Sequence, residues 1–268
     1  MLLNGETAIL GIIGDPVAQV KSPAALTQLM QRRGINCVLV PLHVAAADVT
    51  SLLDALRAVK NFAGLIVTVP HKQLVAQLPI TRSVAALEAE AVNVIRKSGG
   101  EWQGDLLDGV GFLQGLSHGG CDVRGKTVAI AGAGGAGNAI AFTLAAAGAT
   151  RIGIHDLNSQ KKLALVARLK ALGYSAYEWD GTATSDLLVN ATPLGMKPGD
   201  ALPIDPASIR PGITVAEVIM EPHTTELLKR ASQMGANIIH GRGMMDHQLE
   251  RMADFFGEVI NSRYMTNV

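Results

Sequence analysis

The chain has 268 residues, which is long enough for two domains or for one large α/β domain. Hydrophobic residues make up 48% and charged residues 17%, a composition that indicates a folded globular protein and excludes a disordered chain. Because 23 Lys and Arg balance 23 Asp and Glu, no net positive charge draws the chain to nucleic acid or to anionic membranes, and we expect neither partner.

The amino terminus has two acidic residues before Val17 and no Lys or Arg, so we expect no secretory signal. No uninterrupted apolar run reaches the roughly 18 residues of a membrane span. Cys37 and Cys121 lie in no Cys-x-x-Cys or Cys/His cluster, and the seven histidines show no metal-ligand spacing. We therefore expect a cytoplasmic protein without disulfides and without a metal.

Short apolar runs alternate with helical patterns along the first hundred residues, which predicts parallel βαβ units. We predict strands over 8–13, 37–42 and 64–69, and helices over 24–33 and 49–59. Ser22 precedes Pro23, a pair that is typical of a helix N-cap followed by the first helical residue.

A cluster of small residues, at Ser98, Gly99, Gly100 and Gly104, separates this part from a second apolar series that begins near Thr127. We place a domain boundary there. Beyond it we predict strands over 127–131, 151–155, 187–190 and 213–219, and helices over 138–147, 161–172 and 245–262.

A glycine pattern follows the strand predicted at 127–131. It matches G-x-G-x-x-G and consists of Gly132, Ala133, Gly134, Gly135, Ala136 and Gly137. Between a strand and a helix, the first glycine permits a tight turn, the second lets backbone amides approach a pyrophosphate, and the third brings helix and strand close together. The helix start offers further N–H donors to phosphates. The pattern therefore predicts a dinucleotide site, and the alternative is an ordinary packing turn.

Asp156 ends the next predicted strand, close to where a dinucleotide fold has its ribose-binding acid. A carboxylate there accepts hydrogen bonds from ribose hydroxyls and repels a 2′-phosphate, which favours NAD over NADP. Lys161 and Lys162 follow within a few residues and could meet a 2′-phosphate, so NADP is the less favoured alternative. Asp156 could instead cap the next helix, a role that Asn158 also suits.

Two residues of the first half are candidates for acid–base chemistry. Lys72 follows a predicted strand end, where ligands of open α/β sheets gather. Asp108 lies in a glycine-rich segment. Taken alone, Lys72 suits a solvated surface and Asp108 suits a turn.

Seven motifs occur along the chain in the order GDPVAQVKSP, GLIVTVPHK, AEAVNVI, GDLLDGVGF, GAGGAG, VNATPLGM and GRGMMDHQ. In this order they resemble the shikimate/quinate dehydrogenase family along nearly the whole chain. The resemblance implies an N-terminal α/β substrate-binding domain and a Rossmann-type NAD(P)-binding domain, with the C-terminal helix returning to the first domain. The substrate-binding domain would comprise residues 1–104 and 240–268, and the dinucleotide domain residues 105–239.

The resemblance also implies roles for individual residues. Lys72 and Asp108 would form the catalytic pair beside the substrate hydroxyl. Hydride leaves an alcohol carbon only as the hydroxyl proton is lost, so a general base must lie within hydrogen-bond reach. The substrate-facing positions would be Ser22, Thr68, Asn93 and Gln248. The cofactor-facing positions would be the glycine pattern together with Asp156, Asn190, Thr192, Gly195, Met196 and Gly243. Taken singly, each of these residues could also have a purely structural role.

The chain departs from the family pattern where apolar residues replace polar ones. These residues are Val20, Ile66, Leu106, Leu107 and Met220. The Arg that usually meets the NADP phosphate is Asp156 here. An apolar site leaves each substrate hydroxyl unpaired at a cost of roughly 1 to 3 kcal/mol. The family usually has a serine at the position of Val20. We therefore expect a substrate with fewer hydroxyls than shikimate, and Lys21 could replace that serine as the partner of a carboxylate.

We expect an NAD-dependent alcohol dehydrogenase that acts on a small cyclic hydroxy acid, as a monomer or a homodimer. The alternative is a regulatory protein that binds a dinucleotide or a metabolite with little turnover, because a fold does not fix a function. Retention of Lys72 and Asp108 favours the enzyme. Val20, Ile66 and Leu106 disfavour a true biosynthetic shikimate dehydrogenase.

Overall fold

The computed structural model describes residues 3–265, and the chain divides into two compact units. The first unit runs to Leu107 and resumes at Leu249, and the second comprises Asp108–Gln248. Each unit contains one six-stranded sheet with helices. The α/β class is therefore confirmed.

The sheet of the first unit has the strand order β2-β1-β3-β5-β6-β4. Its strands are β1 (Ala8–Gly14), β2 (Cys37–His43), β3 (Phe62–Val67), β4 (Thr81–Arg82), β5 (Val94–Ser98) and β6 (Glu101–Asp105). Its helices are α1 (Ser22–Arg32), α2 (Val49–Ala58), α3 (Lys72–Ala76) and α4 (Val84–Ala89). β1 pairs in parallel with β2 and β3, as the alternating pattern predicts.

One strand of this sheet, β5, runs antiparallel to its neighbours, which the sequence analysis did not predict, whereas β4 and β6 pair in parallel. β5 pairs antiparallel with both β3 and β6. Gly99 and Gly100, with φ of 59° and 85°, form the tight turn between β5 and β6, a conformation that glycine adopts without strain. β6 continues to Asp105 in the same sheet.

The sheet of the second unit is parallel throughout, with the order β12-β11-β10-β7-β8-β9. Its strands are β7 (Thr127–Ala131), β8 (Arg151–His155), β9 (Ala176–Glu178), β10 (Leu187–Asn190), β11 (Thr214–Glu217) and β12 (Asn237–Ile239). Its helices are α5 (Asp108–His118), α6 (Gly135–Ala146), α7 (Ser159–Ala171) and α8 (Glu226–Gln233). The last helix, α9 (Arg242–Met265), begins in this unit and ends in the first.

Within the first unit, α9 is tied to the sheet and to α1 by arginines. Arg33 forms ion pairs with Glu250 and with Asp254, the latter at 2.7 Å. Arg96 donates to the Phe255 carbonyl at 2.9 Å and lies over the Phe255 ring. These contacts fix the final helix on the first unit, although each exposed ion pair contributes little to stability.

Two helix starts differ from the sequence-based expectation. Ser22 is not the N-cap of α1, because Lys21 holds that position with helical backbone angles and Ser22 is the first helical residue. α9 begins at Arg242 instead of residue 245.

Candidate active site

In the first unit, Lys72 stands at the start of α3, just past the end of β3. Its side chain is half-buried, and Thr68 lies in the turn between the two elements. His71, the fully buried N-cap of α3, is bonded through Nε2 to the carbonyl of Val44 at 2.8 Å. This bond holds the residue next to Lys72, so the backbone that carries the lysine is fixed.

Asn93 is held rigidly between β3 and β6 of the same unit and is 1% exposed. Its backbone N–H donates to the Asp105 carbonyl at 3.0 Å, and its carbonyl accepts from Val67 at 2.7 Å. Its Oδ1 accepts from the backbone N–H of Leu107 at 2.8 Å. Its Nδ2 is buried and has no hydrogen-bond partner in the described part of the chain. A buried unpaired donor is costly, which suggests that a ligand oxygen completes it.

The residues expected around the substrate on the first loop differ in exposure. Ser22 is half-buried in the first turn of α1, and Lys21 beside it is exposed. Val20 is half-buried in the same loop. The other apolar replacements in this unit pack into its interior: Ile66 (4% exposed), Leu106 (3%) and Leu107 (6%).

In the second unit, Asp108 and Gln248 are in direct contact. Gln248 donates from Nε2 to Oδ1 of Asp108 at 2.6 Å, and both side chains are buried. α5 and α9 approach closely here because Gly111 has no side chain. A Cβ at Gly111 would lie 2.8 Å from both Gln248 Cβ and the Met244 carbonyl oxygen. Two predicted site residues are thus brought together.

The glycine pattern lies between β7 and α6, as predicted. Gly132 has a φ of +106°, and a Cβ on it would lie 2.8 Å from the Ala191 carbonyl oxygen. A Cβ on Gly137 would overlap the carbonyl of Gly132. A Cβ on Gly134 or on Gly135 would have no such neighbour within 4 Å, so there is open space beside these two residues. This arrangement fits a pyrophosphate at the helix start.

Asp156 follows β8 and binds the glycine pattern directly. Its Oδ2 accepts from the backbone N–H of Ala133 at 2.7 Å, and its Oδ1 accepts from that of Asn158 at 2.8 Å. The N-cap of α7 is Asn158, whose Oδ1 accepts from Lys161 at 3.1 Å, so Asp156 does not cap the helix. A carboxylate oxygen can accept a second hydrogen bond, so Asp156 retains the capacity to accept from ribose hydroxyls.

The two lysines that could meet a 2′-phosphate differ in their surroundings. Lys162 forms an ion pair with Glu178 at 3.0 Å and is largely buried. Lys161 is exposed on α7. One of the two cations is thus engaged in an ion pair.

Asn190, the last residue of β10, shapes the segment of residues 191–196, which we call the Asn190 loop. Its Oδ1 accepts from Thr192 twice, from N–H at 3.0 Å and from Oγ1 at 2.7 Å. Its Nδ2 donates to the Leu194 carbonyl at 3.1 Å. Met196 of this loop is 56% exposed. Gly243 lies elsewhere in the unit, in the first turn of α9.

Glu217 is a buried carboxyl that the sequence analysis did not single out. It ends β11 and is 1% exposed. Its Oε2 accepts from Oγ1 of Thr225 at 2.8 Å. Burial raises its pKa to about 7. The sequence gives no sign that this glutamate is buried, because its burial depends on packing between distant segments.

Across the described residues, no group of three or more His, Cys, Asp or Glu side chains could hold a metal ion. Nor is any helix of that part long and apolar enough to cross a membrane.

Comparison with known proteins places the chain in a family. The profile of the shikimate dehydrogenase substrate binding domain matches residues 12–95. The shikimate dehydrogenase (NADP(+)) of Rubrobacter xylanophilus is 35% identical over 254 residues, which cover 92% of this chain and 89% of that protein.

Solved structures give the same result. Shikimate 5-dehydrogenase from Listeria monocytogenes, in complex with shikimate and NAD, superposes with a TM-score of 0.88 at 27% identity and covers 96% of this chain and 98% of its own. Quinate dehydrogenase from Corynebacterium glutamicum, in complex with NAD, gives 0.86 at 28% identity and covers 97% and 99%. These names are all those of dehydrogenases, so the regulatory alternative finds no support. The chain belongs to the shikimate/quinate dehydrogenase family of oxidoreductases.

Proposed function

We propose that the protein transfers a hydride between NAD and a secondary alcohol carbon of a small cyclic hydroxy acid. The first unit would bind the acid and the second unit would bind the dinucleotide. The main support for acid binding by the first unit is the buried, unpaired Nδ2 of Asn93. A substrate hydroxyl or carboxylate oxygen would accept from it and remove the cost of an unsatisfied donor.

Lys72 and Asp108 are the residues that we propose for catalysis. When bound, the nicotinamide supplies the hydride chemistry. The amine of Lys72 would take the hydroxyl proton as the alcohol is oxidised, and would return it in the reverse direction. Asp108 would orient that amine. Gln248 holds Oδ1 of Asp108, so the carboxylate has a fixed direction before substrate arrives.

NAD is the cofactor that we propose, and Asp156 is the reason. Its carboxylate follows β8 and contacts the backbone of the glycine pattern, so a 2′-phosphate on the adenosine ribose would lie close to a negative charge. The relatives differ on this point: the one from Rubrobacter is named for NADP(+), and those from Listeria and Corynebacterium were solved with NAD.

The proposed substrate carries fewer hydroxyls than shikimate. Val20 is half-buried in the loop that leads to α1, where the family has a serine. A substrate oxygen placed against this side chain would lose a hydrogen bond. Lys21 is exposed beside it and is the cation that we propose for the substrate carboxylate.

We also propose that the protein works in the cytoplasm as a monomer or a homodimer. Cys37 and Cys121 are both free and buried, which suits a reducing compartment.

The variant Lys72→Met tests the catalytic assignment. We expect turnover to fall by about two to four orders of magnitude, the contribution of a general base, while the Kd for NAD stays unchanged. Lys60→Met is the matched control, because Lys60 is an exposed lysine of the same unit. Full turnover by Lys72→Met would contradict the proposal.

A further inference from the structure

Glu217 lies on the strand next to Asn190, and one of its oxygens has no hydrogen-bond partner among the described residues. It pairs in parallel register with Asn190, which is also fully buried. Oε2 accepts from Thr225, whereas Oε1 is buried without a hydrogen-bond partner in the described part of the chain. A buried carboxylate with an unpaired oxygen costs free energy, so Glu217 is a candidate for a role beyond packing.

Thr225 connects Glu217 to the Asn190 loop. It is the N-cap of α8, with Oγ1 accepting from the backbone N–H of Leu228 at 3.3 Å while donating to Glu217. Gly195 of the loop packs against it, since a Cβ there would lie 3.4 Å from Cβ of Thr225. Glu217 thus anchors the residue on which the loop rests.

Asn190 is the second connection. Thr225 and the Asn190 side chain both lower the Glu217 pKa, opposing the burial that raises it to about 7. Oδ1 of Asn190 already accepts from both polar groups of Thr192. A protonated Glu217 would donate from an oxygen that accepts when ionised, and Oδ1 of Asn190 already accepts two hydrogen bonds. Protonation therefore competes with the bonds that shape the loop.

We propose that Glu217 is a positioning residue for the nicotinamide half of the cofactor, whose ionised carboxylate keeps Asn190 and Thr225 in the arrangement that shapes the Asn190 loop. The proposal rests on the proposed function, because the resemblance to the family puts this loop beside the nicotinamide. Glu217 acts through its two neighbours. As the pH falls through 7, binding of the nicotinamide half weakens.

Charged groups on the flanking segments are engaged elsewhere. Asp200, after the loop, accepts from the backbone N–H of Gly195 at 2.9 Å. Glu226, in the first turn of α8, is exposed and pairs with Arg230 at 2.9 Å. In the described residues, burial raises the Glu217 pKa, Thr225 and Asn190 lower it, and no charged neighbour contributes.

The test compares two ligands in calorimetric titrations at about pH 6 and pH 8. NADH carries the nicotinamide, and ADP-ribose lacks it. For the wild type we expect NADH to bind about tenfold more weakly at the lower pH, the effect of losing about one hydrogen bond, with little change for ADP-ribose. Glu217→Gln should bind NADH about tenfold more weakly at the higher pH and show no pH dependence, since an amide donates where the carboxylate accepts.

Glu217→Asp keeps an ionisable carboxyl and should restore the pH dependence in part. Glu226→Gln is the matched control and should behave as the wild type. Wild-type NADH affinity in Glu217→Gln would overturn the inference and leave the proposed function standing. An equal loss of NADH and ADP-ribose would also overturn it, because that loss marks a general structural role. A wild type that binds neither ligand would overturn both the inference and the proposed function.

Discussion

Gln248 donates a hydrogen bond of 2.6 Å from Nε2 to Oδ1 of Asp108, and both side chains are buried. The bond joins residues 140 positions apart in the chain and links the first residue of α5 to α9. Because a bond to a charged acceptor is stronger than one between neutral groups, it holds the carboxylate in one orientation.

Gln248→Leu removes this donor and leaves the Asp108 carboxylate with one hydrogen bond fewer. We expect the free energy of unfolding to fall by about 1 to 3 kcal/mol and kcat to fall at least about tenfold. Urea denaturation and steady-state kinetics measure the two effects. Gln233→Leu, at an exposed position of the same unit, should leave both quantities unchanged. An unaltered kcat in Gln248→Leu would show that the orientation of Asp108 does not matter.

Asp156→Asn removes a charge and keeps an oxygen that can accept from Ala133. We expect the ratio of kcat/KM for NAD to kcat/KM for NADP to fall by about tenfold or more, since repulsion of a 2′-phosphate near a carboxylate is worth at least about 1 kcal/mol. The ratio is measured with one substrate and both cofactors. Asp122→Asn, an exposed aspartate of the same unit, is the control. An unchanged ratio would remove Asp156 from cofactor selection.

Glu217 gives the stability a characteristic pH dependence. Its pKa of about 7 in the folded protein exceeds the ordinary value of 4.5. The folded state therefore holds the Glu217 proton more tightly than the unfolded chain does. This proton contributes fully to the free energy of unfolding below about pH 4, and the contribution is lost as the pH rises through 7. The difference between the two pKa values corresponds to a change of about 3 kcal/mol in the free energy of unfolding.

Glu217→Gln has no such proton. The free energy of unfolding of the wild type, relative to this variant, should decrease between about pH 4 and pH 8. The free energy of unfolding of the wild type relative to Glu226→Gln should show no such decrease, because the Arg230 side chain lowers the pKa of Glu226. Parallel curves for the wild type and Glu217→Gln would mean that the pKa of Glu217 is the same in the folded and the unfolded chain.

Val20→Ser restores a hydroxyl in the loop before α1. We expect kcat/KM for shikimate to rise by about tenfold, the value of one recovered hydrogen bond in a substrate site. Val17→Ser, a half-buried valine of the same loop, controls for a general change in polarity. If neither variant gains activity toward shikimate, the polarity of this loop does not determine which substrate the protein accepts.

Much of the second unit was predictable because its signals are local. A strand, a glycine pattern and a helix follow one another within a short stretch, and β7, β8 and β10 match the predicted ranges. The hairpin of β5 and β6 was missed because its strands are short and contain Arg96, Lys97 and Asp105, which weaken the apolar pattern. α5 was missed because glycines interrupt its helical periodicity.

The parts of the site that depend on distant contacts could not be predicted. Nothing in the sequence joins Gln248 to Asp108, and nothing marks the unpaired Nδ2 of Asn93 or the buried carboxyl of Glu217. Each depends on which segments pack together. The sequence supplied the identity of these side chains, and packing determined which of their polar atoms have partners.

The most direct measurement is the absorbance of the reduced nicotinamide during turnover by the purified wild type. NAD and NADP are each tested with shikimate, quinate and a set of ring acids with fewer hydroxyls. We expect reduction of NAD in preference to NADP, and a higher rate with a less hydroxylated acid than with shikimate. No reduction of either cofactor by any acid would contradict the proposed hydride transfer, and an ordinary enzymatic rate with NADP and shikimate would contradict the proposed cofactor and substrate.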